Sequence, residues 1–305
     1  FCMGIAVHKL RAKGFKEQMH QKMKIKPRRS LLFIPANRPD RFEKALASGA
    51  DMVCLELEDG VARAEKEIAR DNMIRFFNAR PSLPNYPEIL VRINAPEEQI
   101  GKADLDAVLR LAVKPAAVMI PKVRQAGEVI ELDKKLANAA PDLALHLLIE
   151  TAEALENAGA IAGASQCIEM LLFGGVDLAA ELRATTGWEA LLYARGRVAH
   201  AGALAGLDLM DMPYLAIEDE KGLAEEAIRA RDMGFGGKAA IHPKQIAAIN
   251  KAFTPTAEDI SQAKKIMAAY ANAPRGVVVV DGKLVEKPVI LKMQYILAIA
   301  DAVGA

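Results

Sequence analysis

The chain has 305 residues, a formal net charge of +1, and 52% hydrophobic against 26% charged residues. That balance offers no global field to nucleic acid or to an anionic membrane, and it suits one large α/β domain with a small appendage. No apolar run approaches the roughly 20 residues needed to span a bilayer, and the N-terminal stretch lacks the apolar segment of a secretory signal. Three cysteines, Cys2, Cys54 and Cys167, form an odd set without metal-ligand spacing. They point to a reducing compartment, read here as the cytoplasm.

In chain order, residues 1–29 carry nine Lys/Arg against a single acid, Glu17. They read as a basic arm or helix, either solvated or offered to acidic partners. Eight short apolar runs follow, each ending in charged or polar residues. The first four are 31–35 with Asn37, 52–57 with Glu56, Glu58 and Asp59, 89–93 with Arg92 and Asn94, and 117–120 with Lys122. The second four are 146–149 with Glu150, 170–173 with Asp177, 205–210 with Asp208 and Asp211, and 238–241 with His242. Strand-length runs alternating with Ala-rich, helix-length stretches read as βα units. Eight units predict an α/β fold, a (β/α)8 TIM barrel over 30–252, whose chemistry lies at the C-terminal ends of its strands.

The composition changes at Phe253-Thr254-Pro255-Thr256. Thr256 reads as the cap of a helix running to about Tyr270. Asp281-Gly282 between two apolar triplets predicts a hairpin with a type I′ turn, and Pro288 introduces a last helix. A helix–hairpin–helix piece over 253–305 is too small to hold a core of its own. It is expected to pack as a lid on the barrel mouth or on a neighbouring subunit.

Glu150 and Asp177 end consecutive strands, which lie about 5 Å apart in a sheet, so the two carboxylates can converge on one cation. An oxygen-only pair with open positions suits Mg2+, which keeps several waters and accepts substrate oxygens. Acids capping the following helices would leave the same pattern; Gly174-Gly175 favours the ligand reading, because missing side chains permit close approach. Arg92 interrupts a strand of Ile, Leu and Val, and a buried guanidinium needs an anion. That anion is either a substrate carboxylate or an internal partner, Glu56 or Glu58. Glu56 and Glu58 share a face and require a cation, water or Arg92 between them. Lys122 either binds an anion or neutralises these acids. His242 reads as a hydrogen-bonding residue of the barrel rim rather than a catalyst, and Cys54 as an inert apolar residue.

Arg29-Ser30-Leu31-Leu32-Phe33-Ile34-Pro35, the Glu-Leu-Glu-Asp-Gly-Val stretch at 56–61, and Lys66 with Arg70 match a known pattern. So do Val91-Arg92-Ile93-Asn94, Pro121-Lys122, Ile149-Glu150-Thr151, Phe173-Gly174-Gly175-Val176-Asp177-Leu178 and Gly237-Lys238-Ala239-Ala240-Ile241-His242-Pro243. Together they resemble the citrate lyase β-subunit family, part of the HpcH/HpaI aldolase superfamily and of the CoA-ester lyases that include malyl-CoA and citramalyl-CoA lyases. The resemblance covers 28–302, with motifs in order at nearly every strand end.

The resemblance implies Mg2+ at Glu150 and Asp177, a substrate carboxylate on Arg92, and a coenzyme A thioester as substrate. It implies catalytic roles around Arg92 for Glu58 and Asp59, and a lid reaching a neighbouring subunit's site in a homotrimer or hexamer. The lid's acid is Glu286 in Leu284-Val285-Glu286, where the family has Asp, and the first acid of the Asp-Leu-Glu-Asp motif is Glu56 here; both exchanges keep charge and change reach. Arg29, Arg38 and Lys44 are the candidates for the CoA phosphates. The expected reaction is cleavage of a 3-hydroxy-3-carboxyacyl-CoA, of citramalyl-CoA or citryl-CoA type, to acetyl-CoA and a 2-oxo acid, or the reverse. The alternatives are a malyl-CoA lyase or thioesterase, and a citrate lyase β subunit working with an acyl carrier protein. No nucleic acid or membrane partner is expected.

Overall fold

A computed structural model describes residues 25–80, 82, 87–271 and 277–305. Two compact units emerge, one spanning Arg28–Asn250 and a second containing Lys251–Ala305.

The first unit is a closed barrel of eight parallel strands, each hydrogen-bonded to its neighbours in sequence, with β1 closing against β8. The strands are β1 Ser30–Pro35, β2 Met52–Glu56, β3 Glu88–Arg92 and β4 Ala117–Ile120, then β5 Ala144–Ile149, β6 Ile168–Phe173, β7 Asp208–Asp211 and β8 Gly237–Ala240. Every position of β2 and β5 is buried, as expected of parallel strands covered by side chains within and helices without. Inward positions such as Leu31, Met52, Leu90, Met119 and Met170 fill the interior in one apolar cluster. Among the described residues no helix is long and apolar enough to cross a membrane.

Two strand boundaries correct the sequence reading. The run at 205–210 merges the end of the helix Trp188–Ala205 with β7; Gly206 ends that helix in a left-handed conformation, φ 72°. Asp208 therefore opens β7 instead of ending it, and lies at the N-terminal face of the barrel. Asp177 follows β6 by four residues and sits in the first turn of the helix Gly175–Leu182.

The N-terminal face is closed by ion pairs. Arg28 Nε and Nη2 donate to the two carboxylate oxygens of Glu88 at 2.8 and 2.9 Å, Nη1 donates to Asp208 at 2.9 Å, and Glu169 completes the ring. Arg29 pairs with buried Asp51, with Nε 2.8 Å from Oδ2. Of the basic arm read over 1–29, residues 1–24 lie outside the described residues, while Arg28 and Arg29 pair with barrel acids.

On the outer side of β7 and β8, Asp211 accepts from Arg195 Nε at 2.9 Å and from Lys238 Nζ at 2.6 Å, and Lys238 also donates to Glu226 at 2.7 Å. Arg195 and Lys238 are both fully buried. Their charges are matched by Asp211 and Glu226, which is the condition for burying them.

In the second unit the helix Ala257–Ala271 precedes an antiparallel hairpin, β9 Val278–Val280 and β10 Lys283–Val285, and a helix Lys287–Val303. Thr256 Oγ1 accepts from the Asp259 N–H at 3.1 Å while Asp259 accepts from the Thr256 N–H at 3.0 Å, a reciprocal cap. Asp281 (φ 51°) and Gly282 (φ 73°) carry the two positive angles of the tight turn, as their sequence predicts. Contrary to expectation, this unit builds an apolar cluster of its own, from Ala263, Ile266, Tyr270, Val280, Val285 and Ile290 with Met293. The hairpin supplies what two helices alone lack: a third surface to pack against.

Replacing Arg28 with Ala is expected to lower barrel stability by about 3–5 kcal/mol, because it leaves buried Glu88 beside two further acids without this cation. Chemical denaturation of the purified variant reads the change.

Candidate active site

A cavity of about 400 Å3 opens at the C-terminal ends of the strands, the size range of small-molecule sites. Its charged wall is built by the ends of β2, β3, β5 and β6, with Lys122 after β4 set against their acids.

From β2, Glu56 points inward and is buried, as is Glu58 two residues on. From β3, Arg92 is the register partner of Glu56. Its Nε pairs closely with Glu56, its Nη2 lies 3.4 Å from Glu58, and its guanidinium lies 4.9 Å over the Phe33 ring. The internal ion pair is thus present, with the guanidinium still edging the cavity. Glu56 Oε1 also accepts from the Glu58 N–H, which fixes the turn into Asp59.

Lys122 follows β4 in a left-handed conformation, φ 56°, which costs a residue with a Cβ about 1–2 kcal/mol. Its environment repays that strain: the backbone N–H donates to Glu150 Oε1 at 2.6 Å. Its ammonium lies 3.4 Å from Asp59 and Asp177, 3.5 Å from Glu58 and 4.0 Å from Glu150. Carboxylates from β2, β5 and the turn after β6 therefore meet at one point.

Glu150 and Asp177 are not helix caps. Thr151 caps the helix Ala152–Glu156, and Gly174 takes the cap position before Asp177. Gly174 is required for another reason: a Cβ there would stand 2.2 Å from Glu150 Cβ and 2.9 Å from its Oε2.

Burial pushes the Glu150 carboxyl up to about 8 against the pull of Lys122, and burial likewise raises Glu58 and Glu56 despite Arg92. Against the downward pull of its partial burial, Glu150, Glu58, Asp177 and Asp59 raise Lys122. A third cation, Lys66, donates to the Leu57 and Glu58 carbonyls at 2.8 and 2.5 Å. Five carboxyl groups (Glu56, Glu58, Asp59, Glu150, Asp177) thus gather around two side-chain cations, Arg92 and Lys122, while Lys66 is taken up by backbone carbonyls. Hard oxygen donors in excess of the cations beside them fit Mg2+, which binds through one or two carboxylates and keeps open positions for water and substrate. Among the described residues no group of three or more His, Cys, Asp or Glu is placed to hold a metal ion, so a metal here would rest on two carboxylates and complete its shell with water and substrate.

Of the remaining candidates, Arg38 and Lys44 are exposed on the stretch after β1, Arg38 paired with Asp40 at 2.8 Å. Arg29 is corrected: it precedes β1, at the opposite face of the barrel, and is committed to Asp51. Over a six-residue strand that separation is about 20 Å, too far to serve a phosphate bound at the mouth. Glu286 belongs to the second unit, where it is exposed just before the last helix. His242 caps the turn Pro243–Gln245, its Nδ1 accepting from the Lys244 N–H at 3.2 Å, the rim role read from the sequence.

The sequence reading missed one support. Asn94 Nδ2 donates to the Leu57 carbonyl at 2.9 Å and to Asp104 at 2.6 Å, and Arg70 Nε donates to Asp104 at 2.6 Å. Asp104, fully buried on the inner face of the helix Gln99–Arg110, is an acid in an apolar stripe. That misfit was the signal.

Gly174→Ala should displace Glu150 and lower the thermal midpoint by overpacking, at about 1–3 kcal/mol. In Gly163→Ala the added methyl meets nothing closer than 3.7 Å, and it should stay within about 0.5 kcal/mol of the parent. Parallel melting curves check the pair.

The model of the HpcH/HpaI aldolase/citrate lyase family matches residues 29–243. A (3S)-malyl-CoA thioesterase of Cereibacter sphaeroides is 37% identical, covering 92% of this chain and 96% of the relative. The mitochondrial citramalyl-CoA lyase of Mus musculus is 30% identical, covering 91% of this chain and 87% of the relative. Among solved structures, the CitE protein of Mycobacterium tuberculosis in complex with magnesium, acetoacetate and coenzyme A superposes with a TM-score of 0.74 at 34% identity, covering 90% of this chain and 98% of that one. With its barrel, its strand-end acids and its full-length relatives in agreement, the chain belongs to the HpcH/HpaI aldolase/citrate lyase family of enzymes.

Proposed function

We propose that the protein is a Mg2+-dependent lyase that cleaves a 3-hydroxy-3-carboxyacyl-CoA, of citramalyl-CoA or citryl-CoA type, to acetyl-CoA and a 2-oxo acid, or runs the reverse. The observation that carries this reading is the convergence of Glu58, Asp59, Glu150 and Asp177 on one cationic point beside Arg92. The solved relative bound to magnesium, acetoacetate and coenzyme A supports it.

Glu150 and Asp177 hold Mg2+, which supplies Lewis acidity that lowers the pKa of the substrate hydroxyl and draws charge toward oxygen. Arg92, fixed by Glu56 and Glu58, grips the substrate carboxylate and stabilises oxygen charge as the new carbonyl forms. The hydroxyl gives up its proton, its electrons close the carbonyl of the 2-oxo acid, and the pair of the broken C–C bond passes to the α-carbon of the thioester. Glu58 accepts the hydroxyl proton: burial raises its proton affinity, and Arg92 and Lys122 hold it in place. Asp59 shares Lys122 with Asp177 and keeps the ammonium from becoming a nucleophile. The α-carbon takes its proton from Glu286, delivered by the second unit as a lid over a neighbouring subunit in a trimer or hexamer. Arg38 and Lys44 receive the CoA phosphates at the rim.

The 37%-identical thioesterase favours a second reading, hydrolysis of the same class of thioester. Incubation with citramalyl-CoA, malyl-CoA and citryl-CoA separates the two. Acetyl-CoA with a 2-oxo acid supports the lyase, free CoA thiol without a 2-oxo acid supports hydrolysis, and no turnover of any ester overturns both.

Two substitutions test the roles. Asp177→Ala should abolish Mg2+ binding in titration calorimetry, and unchanged affinity would remove Asp177 from the metal site. Arg92→Lys keeps the charge but loses the planar fork. It should lower kcat/KM by about a hundredfold while leaving Mg2+ affinity intact; near-normal kinetics would make Arg92 a structural partner of Glu56 alone.

A further inference from the structure

Lys238 and Lys66 show how this barrel holds a lysine for structure. Lys238 is fully buried and donates to Asp211 and Glu226 at 2.6 and 2.7 Å. Lys66, also buried, donates to two backbone carbonyls at 2.8 and 2.5 Å. These are the short lengths of settled, charge-assisted bonds. Lys122 has more acids around it than either and a looser grip on each. Its side chain is 37% exposed, and its ammonium comes no closer than 3.4 Å to any of Asp59, Asp177, Glu58 and Glu150.

The backbone of Lys122 is what the fold holds firmly. From its left-handed conformation the N–H donates to Glu150 Oε1 at 2.6 Å, so that oxygen is fixed by the chain itself. The ammonium, by contrast, ends a flexible four-carbon stem. Lys122 thus has a rigid tether and a mobile charge. A dication on Glu150 and Asp177 and an ammonium on the same two carboxylates repel each other. A second pair of acids is already within reach of that ammonium, Asp59 at 3.4 Å and Glu58 at 3.5 Å.

We infer that Lys122 is the resident counter-ion of this site: its ammonium neutralises Glu150 and Asp177 until Mg2+ binds them, and then passes to Glu58 and Asp59. The inference rests on the reading of Mg2+ at Glu150 and Asp177 and goes beyond it, because metal affinity becomes the outcome of an exchange between two cations. Buried carboxylates are costly without a partner, and the exchange keeps all four acids partnered before and after the metal arrives. It also separates Lys122 from a strut. A strut holds the acids in place, so its loss would scatter them and weaken metal binding. A resident counter-ion competes for them, so its loss tightens metal binding.

Titration calorimetry with Mg2+ on the intact protein tests this in two variants. Lys122→Met keeps most of the stem and loses the charge. Lys122→Gly loses the same charge, keeps the N–H to Glu150 and suits the φ of 56°. Both should bind Mg2+ at least about tenfold more tightly than the parent, the effect of removing one like charge a few ångströms from a metal. In melting curves both should gain more than the parent from the same Mg2+ concentration. Asp59→Asn should weaken Mg2+ binding in the parent but do so less beside Lys122→Met, because no ammonium then needs a place. Equal or weaker Mg2+ affinity in either folded lysine variant would overturn the exchange and leave the metal at Glu150 and Asp177. An Asp59→Asn effect of the same size in both backgrounds would overturn the transfer to Asp59. Mg2+ binding by neither parent nor variants would overturn the metal site and the exchange together.

Discussion

An excess of carboxylate, buried where the barrel strands end, is the constraint that organises the rest of this site. Glu56, Glu58 and Glu150 are each nearly out of water, and charged groups are tolerated there only when partnered. Arg92 is drawn to Glu56 and Glu58, and Lys122 accepts a left-handed backbone to present both its N–H and its ammonium to the acids. Gly174 gives up a side chain so that Glu150 can stand beside it. Each of these features looks costly alone, and each is explained by the same charge.

The barrel was legible because parallel strands buried on both faces appear in sequence as unbroken apolar runs. The ends of those runs were less secure. At 205–210 a helix and a strand, both apolar, abut without a polar break, and only the left-handed Gly206 marks the join. Asp208 was consequently placed at the wrong face of the barrel. Arg29 failed differently: a cation beside a strand reads as available until its partner Asp51, twenty-two residues away, is located.

Arg92 shows where sequence reasoning stops. That a guanidinium in an apolar strand needs an anion follows from elementary electrostatics. Which anion follows from register, because Glu56 and Arg92 face each other across β2 and β3, and register is a property of the assembled sheet. The apolar cluster of the second unit was missed for a similar reason. Counting residues argues against a separate core, whereas the hairpin turn at Asp281-Gly282 folds Val280 and Val285 onto Ile266 and Ile290.

The Arg28 ring at the N-terminal face separates two kinds of selection. It shares no partner with the carboxylates at the mouth, and the strands between them set the two about 20 Å apart. Substitutions that far apart add their energies almost independently. Changes at one end can therefore alter how long the barrel survives heat while changes at the other alter what it accepts. A lineage carrying this fold can explore new acyl groups at the mouth on a reserve of stability held at the opposite face, a division of labour built into the length of eight short strands.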